Sequence, residues 1–509
     1  VDDTADGLAD CVVIGYEAFK GNATNTTTGA NGTTAIGSFS LTALTTGGYN
    51  TAIGYKALED NQTGAYNTAV GYTALSNTTN NYNTAVGYAS LVSTVGGGGN
   101  TAMGHESLYA NASTSNNTGI GYQAGFYTTG ASNTYVGHSA GKGASGAEAN
   151  NVGVGKDALL AVTDGGANTS IGKDSSKAIT DGHNNVAIGN NALETSTSVG
   201  YVVAIGDDAM KSGNATSAAD GTVAIGGSAL MSLTTGEQNT AVGYQALDAE
   251  DDGDYSTAIG YAALTSQTGT TGSVHNTAVG ANCLGGITTG THNIGIGSNA
   301  ILTATTALRN VAIGFNAMTD TKAATAVADC VAIGYEALKG NSSTTSTNIN
   351  GTVAIGKDAL KLCVTGQYNT AIGFSSLTSN VSATGCTAVG YDSLYENTAN
   401  DNTAVGRGAM SSNTSGASST GVGIWAGYGN ETGTANTYVG ASAGKGVNGQ
   451  NNSNNVGIGY NALLDIRTGN DNIAIGHSAL DDLQTGTRNI AIGYHAGSAT
   501  EDVDKVVLI

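Results

Sequence analysis

One phrase, Asn-Thr-Ala-Ile-Gly-Tyr-x-Ala-Leu, returns with small variations from one end of this 509-residue chain to the other. Anchored on its central glycine it occurs 28 times, from Gly15 through Gly54, Gly155 and Gly260 to Gly493, most often 17 residues apart, with excursions to 16, 18, 19, 20 and 22. A period this short with no foreign sequence between copies fits a solenoid, in which each copy is one coil that buries its apolar face only by stacking on its neighbours. The expected fold is therefore all-β, a parallel β-solenoid of about 17 residues per coil, with residues 1–509 forming a single continuous stack of 28 coils. Function is then to be sought on a long repetitive surface.

The columns of the repeat, counted from the glycine, carry the physical information. The residue at −1 is Ile or Val in 27 of 28 copies, Met103 being the exception, and the residue at +4 is Leu, Met, Ile or Phe in 22. These two columns are expected to face the core. β-Branched residues beside small ones, bounded by Gly and Thr-rich turns, read as short strands, so each coil is expected to hold a strand, a turn at the glycine, a second short strand and a loop. The −2 column is Ala, Gly or Ser in 25 copies, broken by Val13, Tyr135 and Tyr438, and the +3 column is Ala, Ser or Cys in all. Columns restricted to small side chains mark a close approach of backbone, either across a thin coil or from a neighbouring chain. The motif glycine itself suits a positive-φ bend, and a second glycine at −7, as in Gly47, Gly64, Gly130, Gly236 and Gly469, suits the loop turn.

At −4 stands Asn in 19 of 28 copies, among them Asn50, Asn67, Asn239, Asn369 and Asn489. Stacked amides at strand spacing form hydrogen-bonded ladders, which accounts for the column without any ligand. Cys11, Cys330 and Cys386 replace Asn there, Cys283 lies in the all-small column, and Cys363 lies in a loop. With no Cys-x-x-Cys pair and no His at metal spacing, buried inert thiols are expected rather than zinc or disulfides.

Composition excludes several classes. Proline is absent and glycine follows no three-residue period, which rules out collagen. The net charge of −21, with basic residues scattered singly, argues against nucleic acid as a partner. No apolar run is long enough to insert in a membrane as a helix. No Ser/His/Asp or Cys/His arrangement and no paired carboxylates on one face can be argued, so the chain is not expected to be an enzyme, and no cofactor or metal is implied. The acidic group Asp248, Glu250, Asp251, Asp252 and Asp254 lacks the spacing of calcium-binding β-roll loops and reads as a solvated loop. The sequons at Asn22, Asn61, Asn111 and Asn430 also read as loop sites open to glycosylation.

At +1 Tyr occurs in eleven copies, with charged and polar residues elsewhere, so this column faces solvent. Its members Tyr55, Tyr72, Tyr88, Tyr244 and Tyr261 offer a surface-binding ladder for sugar rings; the plainer reading is an aromatic ladder that stabilises the sheet. Ice binding through a Thr-x-Val array is a further alternative, set aside here because so invariant an Ile/Val column is expected to face inward.

A longer repeat overlies the short one. DCVVIGYEAFKGN from Asp10 returns as DCVAIGYEALKGN from Asp329, and NTYVGHSAGKG from Asn133 returns as NTYVGASAGKG from Asn436, offsets of 319 and 303 that differ by about one coil. Residues 10–200 thus resemble 329–509 by block duplication. The opening VDDTADGLADC resembles the internal linker TDTKAATAVADC, and Ile509 falls where an anchor glycine would follow, so both ends are expected to have been cut from a longer fibre.

At these columns the chain resembles the head repeats of trimeric autotransporter adhesins of the YadA type, and is similar to shafts of phage tail fibres that carry NTAIGYxAL copies. The resemblance runs through all 28 copies, although the Thr/Ser/Gly loops are longer here. It implies a left-handed parallel β-roll, a homotrimer about a common axis, and a structural role in an extracellular, cell-surface or virion fibre. Self-association, end-to-end filaments, and a cell-surface glycan or receptor as partner follow as expectations.

Overall fold

A computed structural model describes residues 9–21, 28–143, 146, 148–269, 272–321, 327–341 and 348–509. Each of the 28 motif copies contains a three-residue strand that ends immediately before its glycine, such as Thr51–Ile53 and Thr257–Ile259. There is no α-helix among the described residues, only a 3-10 turn at Ser217–Ala219, so no helix is long and apolar enough to cross a membrane. The chain divides into two compact units, Val1–Tyr255 and Ser256–Ile509. In the first, strands from Val12–Ile14 to Thr240–Val242 pair in parallel, each with the next; in the second, the same holds from Thr257–Ile259 to the closing Val507–Leu508. Register follows the columns: Thr51 pairs with Thr68, Ala52 with Ala69 and Ile53 with Val70. Each unit is a parallel β-solenoid.

The side-chain orientation differs from the sequence expectation in one decisive respect. Alternation along a strand allows only one of Thr, Ala and Ile in a three-residue segment to differ in direction from the other two. The residue that points inward is the alanine. Ala52, Ala69 and Ala258 are fully buried, whereas Ile53 and Ile259 are 37% and 41% exposed. The +4 column is inside as expected, with Leu58, Leu75 and Leu264 at zero exposure, and so is the +3 column of Ala57, Ala74 and Ala263. The inward assignment of the Ile/Val column is therefore wrong: the coil is so thin that alanines from two sides and one leucine fill it. The small columns meet across the coil.

The Tyr exceptions at −2 confirm this orientation. Tyr135 and Tyr438 are buried, and around each the leucine column is vacated by glycine: Gly125 and Gly141 beside Tyr135, Gly427 and Gly444 beside Tyr438. A Cβ at Gly141 would lie 2.2 Å from the Tyr135 ring, and one at Gly444 would lie 2.2 Å from the Tyr438 ring. The same exchange in polar form pairs Ser170 with Ser176, whose hydroxyls are 2.7 Å apart in the core.

The chain does not go straight from the glycine into a second strand; among the described residues a second, two-residue strand occurs only farther on in two coils, at Gly253–Asp254 and Gly272–Ser273. The chain instead turns twice, through the bond from Ala57 N–H to Gly54 O at 3.4 Å and that from Asn61 N–H to Leu58 O at 3.2 Å. The residues at +2 and +4 are left-handed, as at Lys56 (φ 55°) and Leu58 (φ 51°), which is incompatible with a strand. Coil-to-coil bonds still cross this corner: Leu58 N–H donates to Ala74 O at 3.0 Å. The motif glycine has its own reason. Gly54 has φ 135°, and a Cβ there would meet Gly71 O at 2.3 Å, so the close approach is between the stacked glycine backbones themselves.

The asparagine column is a ladder, though of a different kind from a pure amide stack. Each Oδ1 accepts the backbone N–H of the next Asn, as from Asn67 to Asn50 at 3.0 Å and from Asn83 to Asn67 at 2.9 Å. Each Nδ2 donates mainly to a loop carbonyl, as from Asn50 to Gly64 at 2.8 Å. Direct amide-to-amide bonds join only some neighbours, such as Asn185 to Asn168 at 3.0 Å. Where Cys replaces Asn the thiol takes over the donation, from Cys330 Sγ to Ile349 O at 3.0 Å and from Cys386 Sγ to Ala399 O at 3.2 Å.

A further interior column at +7 had no uniform residue to betray it. Leu44, Ile179, Leu233, Ile287 and Ile466 occupy it, and so do Asn61, Asn111, Asn413, Glu250 and Cys363, all buried. The polar members tie the loop: Asn61 Oδ1 accepts Gly64 N–H at 2.8 Å, and Asn413 Oδ1 accepts Gly416 N–H at 2.9 Å. Three of the expected glycosylation sites, Asn61, Asn111 and Asn430, are thereby buried with their amides engaged rather than open to solvent. Asn22 lies outside the described residues.

Candidate functional surfaces

Because alanine rather than isoleucine fills the coil, each unit presents a strand face of Thr (or Val and Ile) at −3 and Ile or Val at −1, repeated at strand spacing. Strands Ile473–Ile475 and Ile490–Ile492 are apolar at both outward positions. A face of this kind, in a chain whose core is already filled, is an unusual amount of apolar surface to leave in water. The orientation also removes one reason for setting ice binding aside, since the Thr and Ile/Val rows do point outward; a second stands, because Val or Ile interrupts the Thr row at several copies, as at Val186, Val311 and Ile473.

The +1 tyrosines lie where the sequence places them. Tyr55, Tyr72, Tyr88, Tyr244 and Tyr261 are all exposed. Tyr55 stacks on Tyr72 and Tyr72 on Tyr88, each with ring centroids 5.2 Å apart, and the row continues through His105 and Tyr122 to His138. Their faces are spent on each other, which is the sheet-stabilising arrangement. A second row at −5 joins Tyr49, Tyr66 and Tyr82 at 5.1 and 5.3 Å. Its signal in the sequence is a Tyr immediately before the ladder Asn.

All five thiols are free. Burial pushes Cys283 and Cys363 up to about 12 and Cys330 up to about 11, so these three stay protonated at neutral pH, whereas Cys11 is only half-buried. Cys363, expected in a loop, is fully buried in the +7 column. The acidic group is likewise different from a solvated loop at one position. Glu250 is buried, and its Oε1 accepts the backbone N–H groups of Asp251, Asp252 and Gly253 at 3.1, 3.2 and 2.7 Å. Ligand atoms of Glu250, Asp251 and Asp252 lie within 4.8 Å of one another. Glu250 thus serves the loop backbone, as the +7 asparagines do elsewhere.

Charged residues at +2 and +5 are three apart and bridge the corner in six coils, as in Lys56–Glu59 at 3.0 Å and Asp174–Lys177 at 3.1 Å. Most of these pairs are exposed enough to contribute little each, while Asp174 and Glu336 are buried at the acidic end. No protein-family model matches the chain, and no curated protein matches it either.

Proposed function

We propose that this chain is the shaft of an extracellular fibre, on a cell surface or a virion, and that three such left-handed β-rolls assemble as a homotrimer through the outward Thr/Ile strand face. The observation that carries this reading is the row of exposed Ile and Val on units whose cores are already filled by Ala and Leu. Covering the exposed part of one such side chain is worth about 1 kcal/mol, and the repeat multiplies that by the number of coils. The likeness to YadA-type and tail-fibre repeats supplies the trimeric arrangement, and end-to-end filaments extend the same logic. Net charge of −21 favours solubility of the remaining surface.

Sedimentation equilibrium of the purified chain at micromolar concentration should give three times the chain mass, and a stable monomer defeats the trimer. Immunogold labelling of the source cell or particle tests the location; label confined to the interior overturns the fibre role.

A second reading, ice binding, is favoured by one observation: outward Thr and Ile/Val rows in register on parallel strands. It uses the same face and so excludes the trimer. Thermal hysteresis by the monomeric chain supports it, and its absence removes it.

A further inference from the structure

The chain contains one tryptophan, and it lines a pocket. Trp425 is the +2 residue of its coil. The +2 residue one coil earlier is Gly408, whose missing side chain makes the space: a Cβ there would lie 2.7 Å from Trp425 Cδ1. The +5 residue of that coil is Ser411, so the ion pair that bridges the corner in six other coils is replaced by a glycine and a small hydroxyl. The result is a cavity of about 280 Å³ lined by Tyr391 and Asp392 from one coil, Arg407, Gly408 and Ser411 from the next, and Trp425 with Tyr428 from the third.

Its chemistry is mixed in a specific way. Arg407 lies over the Trp425 ring with Cζ 4.8 Å from the centroid, and Lys445 Nζ lies 4.9 Å from the same centroid. Asp392 is partly buried; burial raises its pKa, and a hydrogen bond from the Tyr391 side chain, which occupies part of the carboxylate, acts the other way. Elsewhere in the chain neighbouring opposite charges close on one another, as Arg309 and Asp329 do at 2.7 Å. Asp392 and Arg407 line one pocket and make no ion pair with each other or with any other described residue. An acceptor and a fork of donors are thus held apart, between aromatic rings, at the lower end of the size range of small-molecule pockets.

We propose that this pocket binds a neutral hexopyranose unit of a glycan. Vicinal hydroxyls donate to the Asp392 carboxylate and accept from Arg407 and the Trp425 indole N–H, while the apolar ring carbons lie against Tyr391, Trp425 and Tyr428. The lining itself carries one acid and one base, with Lys445 reaching the Trp425 ring beside them, and the net charge of −21 on the chain disfavours a polyanionic ligand. The site is contained in a single chain and does not rest on the fibre reading.

Because Trp425 is the sole tryptophan, its fluorescence in the full chain reports this pocket alone. Titration with methyl glycosides of glucose, galactose, mannose and N-acetylglucosamine should give a saturable emission change with a millimolar Kd for at least one of them. The corresponding polysaccharide should bind more tightly if a chain is the source, and no better per residue if a free sugar is. Asp392→Asn, Arg407→Gln and Gly408→Ala should each weaken the response tenfold or more, and Tyr494→Ser, outside the pocket, should leave it unchanged. Gly408→Ala fills the space without altering the charges, so loss in the two polar variants with unchanged circular dichroism separates recognition from misfolding. No saturable change with any of the four glycosides, a response equal to that given by glycerol, or a response only to acidic sugars overturns the proposal.

Discussion

At the scale of single residues, backbone conformation decides more than side-chain chemistry. Gly54→Ala forces a Cβ to within 2.3 Å of Gly71 O at a φ of 135°, and is expected to cost several kcal/mol, visible as a large loss in chemical denaturation. The opposite experiment exists at +2, where Thr73 is β-branched at φ 49°. Asparagine tolerates that conformation, so Thr73→Asn should stabilise by about 0.5–1 kcal/mol and raise the melting temperature. A titratable residue adds a pH dependence. Glu148 is buried, with Oε2 unpartnered beside the buried Tyr135, and burial pushes its pKa up to about 7 from 4.5. The duplicated copy has Asn452 in its place, accepting from the Tyr438 hydroxyl at 2.5 Å. A carboxyl whose pKa is raised in the fold binds its proton more tightly there than in the unfolded chain. Its contribution is therefore complete below about pH 4.5 and is lost as pH rises through about 7. Melting temperature should fall across that window, and Glu148→Gln should flatten the fall; an unchanged slope in the variant sinks the assignment.

At the scale of the coil, the alternation within three residues is what the sequence concealed. Hydrophobicity pointed to Ile and Val as the core, yet the columns restricted to small residues already announced a coil too thin for them. The Tyr135 and Tyr438 exceptions carried the same message, each with glycine in the neighbouring leucine positions. Period, strand position, the solvent-facing Tyr column and the buried Leu column were legible because each is uniform. The +7 column was not, since Leu, Asn, Glu and Cys fill it in turn. The Trp425 pocket was not legible either, because it depends on a glycine and a serine from one coil meeting a tryptophan from the next. Two substitutions separate the inward from the outward columns. Leu264→Ala should cost about 2–4 kcal/mol, whereas Ile259→Thr, at a half-exposed position, should cost under about 1 kcal/mol in the dissociated chain. Melts in dilute solution check the contrast, and equal losses would mean that the Ile column is covered even in the single chain. At Tyr135 the exchange of volumes is testable as a set. Tyr135→Ala should cost about 3–5 kcal/mol, and restoring leucine at Gly125 and Gly141 should recover part of it, as a double-mutant cycle would show.

At the scale of the whole molecule, stability is a sum of nearly equivalent nearest-neighbour contacts, with the loops absorbing differences of 16 to 22 residues between anchors. Because within each unit every column of one coil sits over the same column of the next, whole copies are interchangeable. Removing residues 51–67 joins Asn50 to Thr68, and so rewrites the same Asn-Thr-Ala phrase at the seam. That excision should leave the melting temperature within a few degrees of the parent, whereas removing nine of the same residues should not. The two block offsets of 319 and 303 differ by 16 residues, about the length of one copy. The number of coils can therefore change by whole copies while the geometry of each coil stays fixed, so that length is altered without redesigning the fold.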